Sequence, residues 1–325
     1  MKVLISDKVD TGCVDILQQG GLEVDVNTGL SVEELLDIIG GYAGLIVRSA
    51  TKVTEAVIER AEALRAVGRA GAGVDNIDIN AATRRGIVVM NTPGGNSVST
   101  AEHSVAMMMA LARNVPRATA SMKAGIWEKS AFTGIELAGK TVAVLGMGRV
   151  GREVAARANG LGMRVLGYDP FMTDETIQSY GTQPAGLEQI WAEADVLTFH
   201  LPLTPQTKHY LSTEQLAQCK NSVRVINCAR GGIVDEVALL AGLESGKVAG
   251  AALDVFEREP LPFDSPLRQF DNCIFGTHNS SNSLEAVLRV NQMAITTATI
   301  GITLLSNPSP NPPIMVVAGP VRACR

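Results

Sequence analysis

Short apolar runs alternate with longer stretches of helical pattern along most of the chain. Lys2–Ser6, Leu22–Val26, Gly44–Arg48, Ala66–Ala70 and Ile87–Met90 are the first five runs of strand length. Between the second and third, Ser31-Val32-Glu33-Glu34 is a capping-box pattern that opens an amphipathic helix through Ile39. A long helical pattern runs from Ala101 to about Val115 and contains Met107-Met108-Met109. Those methionines fit core or subunit-interface packing better than an adaptable binding face. Asn114–Glu136 is mixed and polar, and reads as helix continuation plus loop.

From Thr141 the text changes. Thr141–Leu145, Arg164–Asp169, Val196–His200, Val223–Cys228, Gly250–Val255 and Cys273–Phe275 are strand runs, and Val150–Leu161 is a helix. Helical text separates most of the others, and one more helix is predicted at Leu284–Ile300. The proline-rich stretch Asn307–Pro313 should break regular structure. Strands separated by helices predict an α/β chain with two parallel sheets, and 325 residues suit two domains.

Composition narrows the class of function. Hydrophobic residues make up 46% of the chain, enough for substantial cores. Its 32 glycines are scattered rather than gathered, so they read as turns and helix ends. A net charge of −5 with no long basic run excludes nucleic acid as an expected partner. No uninterrupted apolar stretch reaches the roughly 18 residues of a membrane span, so no membrane partner is expected. The start runs straight into a strand pattern without the apolar region of a signal peptide, and a cytoplasmic location is expected. Cys13, Cys219, Cys228, Cys273 and Cys324 are odd in number and never in CxxC spacing. Neither a metal site nor a disulfide framework is expected of them, only reduced buried thiols.

Gly146-Met147-Gly148-Arg149-Val150-Gly151 directly follows a predicted strand and opens a predicted helix. In that context the first glycine allows a tight turn, the second lets backbone approach a pyrophosphate, and the third lets helix and strand pack closely. The phosphates would meet unpaired amides at the helix start. Asp169 ends the next strand, about twenty positions on, where a carboxylate accepts from ribose hydroxyls. Pro170 and Phe171 follow it, so no adjacent arginine awaits a 2′-phosphate, and NAD is favoured over NADP.

Hydride transfer from an alcohol beside a carboxylate needs a base and a cation. Of His103, His200, His209 and His278, only His200 and His278 follow strands, where ligands of open α/β sheets bind. His103 sits within a helical pattern, and His209 in a polar loop with no obvious partner. Arg230, in Ala229-Arg230-Gly231-Gly232 after a strand, is the best carboxylate clamp, since its planar fork matches a carboxylate. Glu257 and Glu259 also follow a strand, and either could orient a histidine.

Val225–Glu236 around Arg230 and Ala251–Pro260 around the two glutamates carry a resemblance. From residue 1 to about 300 the sequence resembles the D-isomer-specific 2-hydroxyacid dehydrogenases. The resemblance implies a catalytic set of Arg230, Glu259 (immediately before Pro260) and His278, with NAD as cofactor. It adds Cys228 and Asp254 to Gly146, Gly148, Arg149, Val150, Gly151 and Asp169 as cofactor-binding residues. Val47–Thr54, Val67–Asn76, Met90–Ser97 and Ala118–Lys123 look like segments of members that act on a phosphorylated 2-hydroxy acid. This implies that Arg48 and Arg69 meet the anionic end of the substrate, with Gly71, Ala72, Gly73, Val74 and Asn96 nearby.

The implied fold is a pair of Rossmann-like domains. Residues 1–93 and 284–325 would form a split, flavodoxin-like substrate domain, and 94–283 an inserted NAD-binding domain with a doubly wound parallel sheet. A homodimer through the NAD-binding domain is implied, with the long helix after Ala101 at the interface and Lys129 reaching the partner's phosphate site. Longer members carry a serine-binding regulatory domain for which 325 residues leave no room, so feedback through one is not expected. Two places depart from the family pattern. Thr277-His278-Asn279-Ser280-Ser281-Asn282 stands where Pro-His precedes a Gly-Ala-Ser segment, and Ala72 where threonine is common. The alternatives are the same chemistry on another acid (glycerate, lactate, hydroxypyruvate or glyoxylate) and an NAD-sensing binding protein like the corepressors built on this fold.

Overall fold

The computed structural model describes residues 1–10 and 12–306, with side chains as far as 296. Within the described residues the chain folds as two compact units, Met1–Asn96 with 283–306, and Ser97–Asn282. The proline-rich stretch Asn307–Pro313 and Cys324 lie outside the described residues.

The first unit runs β1 (Lys2–Ile5), α1 (Gly12–Gln19), β2 (Glu23–Val26), α2 (Val32–Ile38) and β3 (Gly44–Val47). It continues with α3 (Glu55–Arg60), β4 (Ala66–Arg69), α4 (Ile79–Arg84) and β5 (Val88–Met90). The five strands are parallel in the order β2-β1-β3-β4-β5, the flavodoxin-like order. The capping box that opens α2 is formed, with the Ser31 hydroxyl accepting from Glu34 N and a Glu34 carboxylate oxygen from Ser31 N. Consecutive strand residues feed opposite cores. Leu4, Leu45, Val47 and Val67 join one apolar cluster, while Val3, Ile5, Ile46 and Ala66 join the other. Strands covered on both faces need apolar residues at every position, which is why they read as continuous runs.

The second unit begins with α5 (Ser97–Ala112) and α6 (Val115–Lys123). Then come β6 (Thr141–Leu145), α7 (Arg149–Gly160), β7 (Arg164–Tyr168), α8 (Asp174–Ser179), β8 (Gln183–Pro184), α9 (Leu187–Glu193) and β9 (Val196–Phe199). It closes with α10 (Thr213–Gln218), β10 (Val223–Asn227), α11 (Glu236–Glu244), β11 (Val248–Leu253) and β12 (Cys273–Phe275). The parallel sheet has the order β12-β11-β10-β9-β6-β7-β8. Winding reverses between β6 and β9, and at such a switch point the crevice beyond the strands' carboxyl ends takes ligands. After Asn282 the chain returns to the first unit as α12 (Leu284–Ser306), whose Ile295 packs with Val3, Ile5 and Ile46.

Three local features differ from the sequence expectation. α5 starts at Ser97, four residues before the apolar pattern becomes legible. The helix does not continue through Asn114, whose left-handed φ of 54° breaks it, and Pro116 in the next first turn starts α6 afresh. The two-residue strand β8 was not expected, since one of its residues is proline. Met107 and Met108 are buried in the core and Met109 is partly exposed.

Candidate active site

The glycine motif forms the turn from β6 into α7. Gly146 has a φ of +97°, closed to an ordinary side chain, and a Cβ at Gly151 would fall on the carbonyl oxygen of Gly146. Around Gly148, by contrast, the space where a Cβ would stand is open to 4 Å. Gly148 is also the N-cap of α7 and offers no side-chain bond to the first-turn amides. Backbone donors at a helix start, bare of side chain, fit a pyrophosphate. The Asp169 carboxylate is held at the end of β7 by Met147 N at 3.0 Å and Phe171 N at 3.0 Å. Each oxygen keeps lone pairs for a ribose hydroxyl. These residues fit a dinucleotide.

Three loops at the carboxyl edge of the same sheet carry the candidate reacting groups. Arg230 lies in the loop after β10, its Nη1 donating to Ala229 O at 2.7 Å while Asn227 Nδ2 donates to Arg230 O at 2.9 Å. Glu259 lies beyond β11, with Oε1 accepting from Phe256 N at 3.1 Å. His278 follows β12, and its Nδ1 donates to Glu259 Oε2 at 2.8 Å. The carboxylate can only accept, so the hydrogen sits on Nδ1 and Nε2 is left as the basic nitrogen. Both side chains are partly exposed, 45% for His278 and 36% for Glu259, so a substrate can reach them.

Asp254 organises the loop that presents His278. It is fully buried, its carboxylate accepting from Asn279 N at 3.1 Å and Ser280 N at 2.8 Å. Its carbonyl takes His278 N at 2.8 Å. Burial alone would raise this carboxyl's pKa, but His103, 3.5 Å away, and the two amides together hold it below the usual range. Ser280 O accepts from Ser99 Oγ at 2.9 Å. The departure from the family pattern at 279–280 therefore bonds through its backbone, which needs no particular side chain. Cys228 is buried with its sulfur 3.8 Å from Met107 Sδ, and burial pushes the thiol up to about 12. Only its backbone is left to offer a cofactor.

In the first unit, Arg48 and Arg69 follow β3 and end β4. Asp7, just after β1 and buried, gathers the Arg48 loop: it accepts from Arg48 N at 2.6 Å and from Thr51 Oγ1 at 2.7 Å. Asn76 Nδ2 holds the same loop by Arg48 O at 2.8 Å and Thr51 O at 2.7 Å. The Arg69 guanidinium lies flush on Gly71, so that a Cβ there would coincide with its Nη1. Thr92 N donates to Gly71 O at 3.0 Å and Asn91 Nδ2 to Ala72 O at 2.6 Å, fixing the loop through Gly73 and Val74. Gly73, Val74 and Asn96 are partly exposed.

Residues 105–280, more than half of the chain, match the model of the D-isomer specific 2-hydroxyacid dehydrogenase NAD binding domain. The chain belongs to this family. It is 55% identical over 288 residues to D-3-phosphoglycerate dehydrogenase of Homo sapiens, covering 89% of this chain and 54% of that protein. To D-3-phosphoglycerate dehydrogenase of Archaeoglobus fulgidus it is 49% identical over 290 residues, covering 89% and 55%. The chain thus spans about half the length of the curated relatives it matches. Among solved structures, the TT0316 protein from Thermus thermophilus aligns with a TM-score of 0.85 at 34% identity, over 96% of this chain and 100% of that one. The dinucleotide for which the glycine cradle is built is, in this D-isomer-specific 2-hydroxyacid dehydrogenase fold, NAD.

Some residues around the site were not found from sequence. Asp7 carries a recognisable signal, an acid at the carboxyl end of a first parallel strand. Asn76 and His103 carry none, while Glu257, one of the two strand-end glutamates that could orient a histidine, bonds His209 rather than His278. His209, expected to lack a partner, has two: its Nε2 donates to Glu257 Oε1 at 3.1 Å and its Nδ1 lies 3.8 Å from Asp235 Oδ2. These three also form a group whose ligand atoms all lie within 4.8 Å of one another. His200, the other strand-end histidine, is turned inward: Nε2 meets Thr198 Oγ1 at 3.0 Å, and Nδ1 is buried without a hydrogen-bond partner. Burial pushes its pKa down to about 4.

Proposed function

We propose that the chain catalyses the NAD-dependent oxidation of 3-phospho-D-glycerate to 3-phosphohydroxypyruvate, the step that opens the phosphorylated route to serine. The observation that carries this reading is the 2.8 Å bond between His278 Nδ1 and Glu259 Oε2 at the carboxyl edge of a dinucleotide-binding sheet. When bound, NAD supplies the hydride acceptor. His278 Nε2 takes the proton of the substrate's 2-hydroxyl as the C–H bond breaks, and Glu259 keeps the ring in the tautomer and orientation that this transfer needs. Arg230 pairs with the carboxylate and draws electron density from the forming carbonyl. In the reverse direction the imidazolium returns the proton. Arg48 and Arg69 pair with the phosphate, a group that needs several cations because the phosphorylated acid brings about three negative charges.

Two arginines on braced loops and high identity to relatives named for phosphoglycerate support the choice of acid. In this reading the first unit is the substrate domain and the second the NAD domain. The chain acts in the cytoplasm; no described helix is long and apolar enough to cross a membrane. It pairs as a homodimer through the second unit, where α6 buries none of its residues and leaves Val115, Met122 and the following Ile126 and Trp127 exposed.

The test is a panel of 2-hydroxy and 2-oxo acids, phosphorylated and not, followed by nicotinamide absorbance. Turnover of phosphoglycerate well above its unphosphorylated analogues supports the proposal. Preference for an unphosphorylated acid overturns the substrate, and NAD binding with no turnover overturns the activity in favour of a sensing role.

A further inference from the structure

The group around His209 lies outside the set that would touch substrate, yet it joins two of the three loops from which that set rises, those of Arg230 and Glu259. His209 belongs to the segment after β9. Its backbone N donates to Gly232 O at 2.7 Å, and Asp235 N donates back to Leu211 O at 3.0 Å, pinning this segment along the loop that carries Arg230. Its ring then reaches Glu257, in the loop that carries Glu259. Glu257 and Glu236 exchange bonds: Glu236 N donates to Glu257 Oε1 at 3.2 Å and Glu257 N to Glu236 Oε1 at 2.8 Å. Glu257 Oε1 thus accepts from both an imidazole and an amide. Beneath this pair the two loops touch directly, since a Cβ at Gly231, next to Arg230, would fall on Phe256 O. Phe256 N in turn holds Glu259 Oε1 at 3.1 Å.

We infer that His209, through Glu257 and Glu236, is a positioning residue that sets the Arg230 guanidinium relative to the Glu259–His278 pair. Two charged groups on separate crossovers must meet one small acid, and a displacement of about 1 Å between them can cost a hundredfold in rate. Bonds along each strand end cannot fix one loop against the next; the His209–Glu257–Glu236 brace does. A divalent cation held by His209, Asp235 and Glu257 is the competing use of these side chains. The geometry disfavours it, because the two carboxylates face different ring nitrogens and Asp235 Oδ1 already caps α11 by accepting from Val237 N at 2.9 Å.

The inference rests on the proposed roles of Arg230, Glu259 and His278, so the experiment includes controls for them. His209→Ala, His209→Gln, Glu257→Ala and Glu257→Gln are compared with Arg230→Ala and His278→Ala on the best acid of the panel. Expected is a fall in kcat of about tenfold and a raised KM for the acid in His209→Ala and Glu257→Ala, with NAD affinity and Tm close to the parent. Glu257→Gln keeps the doubly accepting oxygen and His209→Gln keeps a donor, so both should recover most of the rate. The two alanine changes combined should be no worse than either alone, because both cut the same link. Parent-like kinetics in His209→Ala, failure of both glutamine variants to recover, or loss of turnover with a chelator would overturn the brace. If Arg230→Ala and His278→Ala themselves keep turnover, it is the reading of the site that fails. Should an alanine variant not fold, the glutamine pair and the chelator still decide.

Discussion

Glu259 Oε2 accepts the Nδ1 hydrogen of His278 at 2.8 Å, so the free nitrogen of that imidazole is held at a set angle by a side chain from another loop. Replacing His278 by alanine should lower kcat by roughly a hundred- to ten-thousandfold while NAD still binds. Glu259→Gln can still bond Nδ1 but as donor or acceptor, so it should lose less than His278→Ala and more than a distant surface change. Steady-state kinetics with fluorescence titration of NAD separates the two effects. Near-parental kcat in His278→Ala would remove the histidine from the mechanism.

The nucleotide cradle makes a paired prediction. At Gly148 an added methyl group meets nothing within 4 Å, whereas at Gly151 it meets the carbonyl of Gly146. Gly151→Ala should therefore destabilise the fold by about 1–3 kcal/mol, seen as a lower Tm. Gly148→Ala should leave Tm nearly unchanged and weaken NAD at least about tenfold, since the methyl occupies the approach to the helix amides. Equal NAD affinity in Gly148→Ala and parent would place the pyrophosphate elsewhere.

Arg48 and Arg69 should each contribute about 1.5–3 kcal/mol to a phosphorylated substrate, as charge-assisted bonds do. Arg48→Ala or Arg69→Ala then lowers kcat/KM for the phosphorylated acid by roughly ten- to a hundredfold. The ratio of kcat/KM between phosphorylated and unphosphorylated acids should collapse with it. A ratio left intact in both variants would show that the phosphate is bound by other groups.

His200 makes folding stability depend on pH. Its ordinary value of 6.5 is pushed down to about 4 in the folded protein by burial. The unfolded chain thus takes the proton first, and the contribution is fully present above 6.5 and falls as pH drops towards 4. The loss is on the order of 3 kcal/mol and levels off below the folded value. Between those pH limits the urea midpoint of the parent should fall more on acidification than that of His200→Gln, which lacks the titrating group. Parallel curves would show that another group governs the acid limb.

How much of this was legible depends on how far each partner lies along the chain. Thr141–Leu145 was readable because all five residues are buried, and the glycine motif because its parts are consecutive. Arg230, Glu259 and His278 follow strands, and strand ends can be found locally; which histidine and which glutamate meet cannot. The His209–Glu257 bond joins residues 48 positions apart on different loops, and neither has a neighbour that announces it. β8 has two residues, too few for any periodicity to show. The break at Asn114 depends on one left-handed residue inside text that otherwise continues a helix.

The exposed apolar run at the end of α6 should be covered by a second chain. Trp127 is 80% exposed and Met122 54%. Trp127→Glu with Met122→Glu should shift the assembly from dimer towards monomer by light scattering, with far-UV circular dichroism unchanged. A dimer that survives both charges would put the interface on another face.

The guanidinium of Arg69 rests where its neighbour but one would otherwise carry a side chain. A long flexible cation ordinarily sheds about 2 kcal/mol of rotamer freedom when it grips an anion, but one already laid against the main chain has surrendered part of that during folding. The loop thereby converts a wandering charge into a fixed pole, and lysine, with no flat head to lie on the backbone, is a poor substitute there.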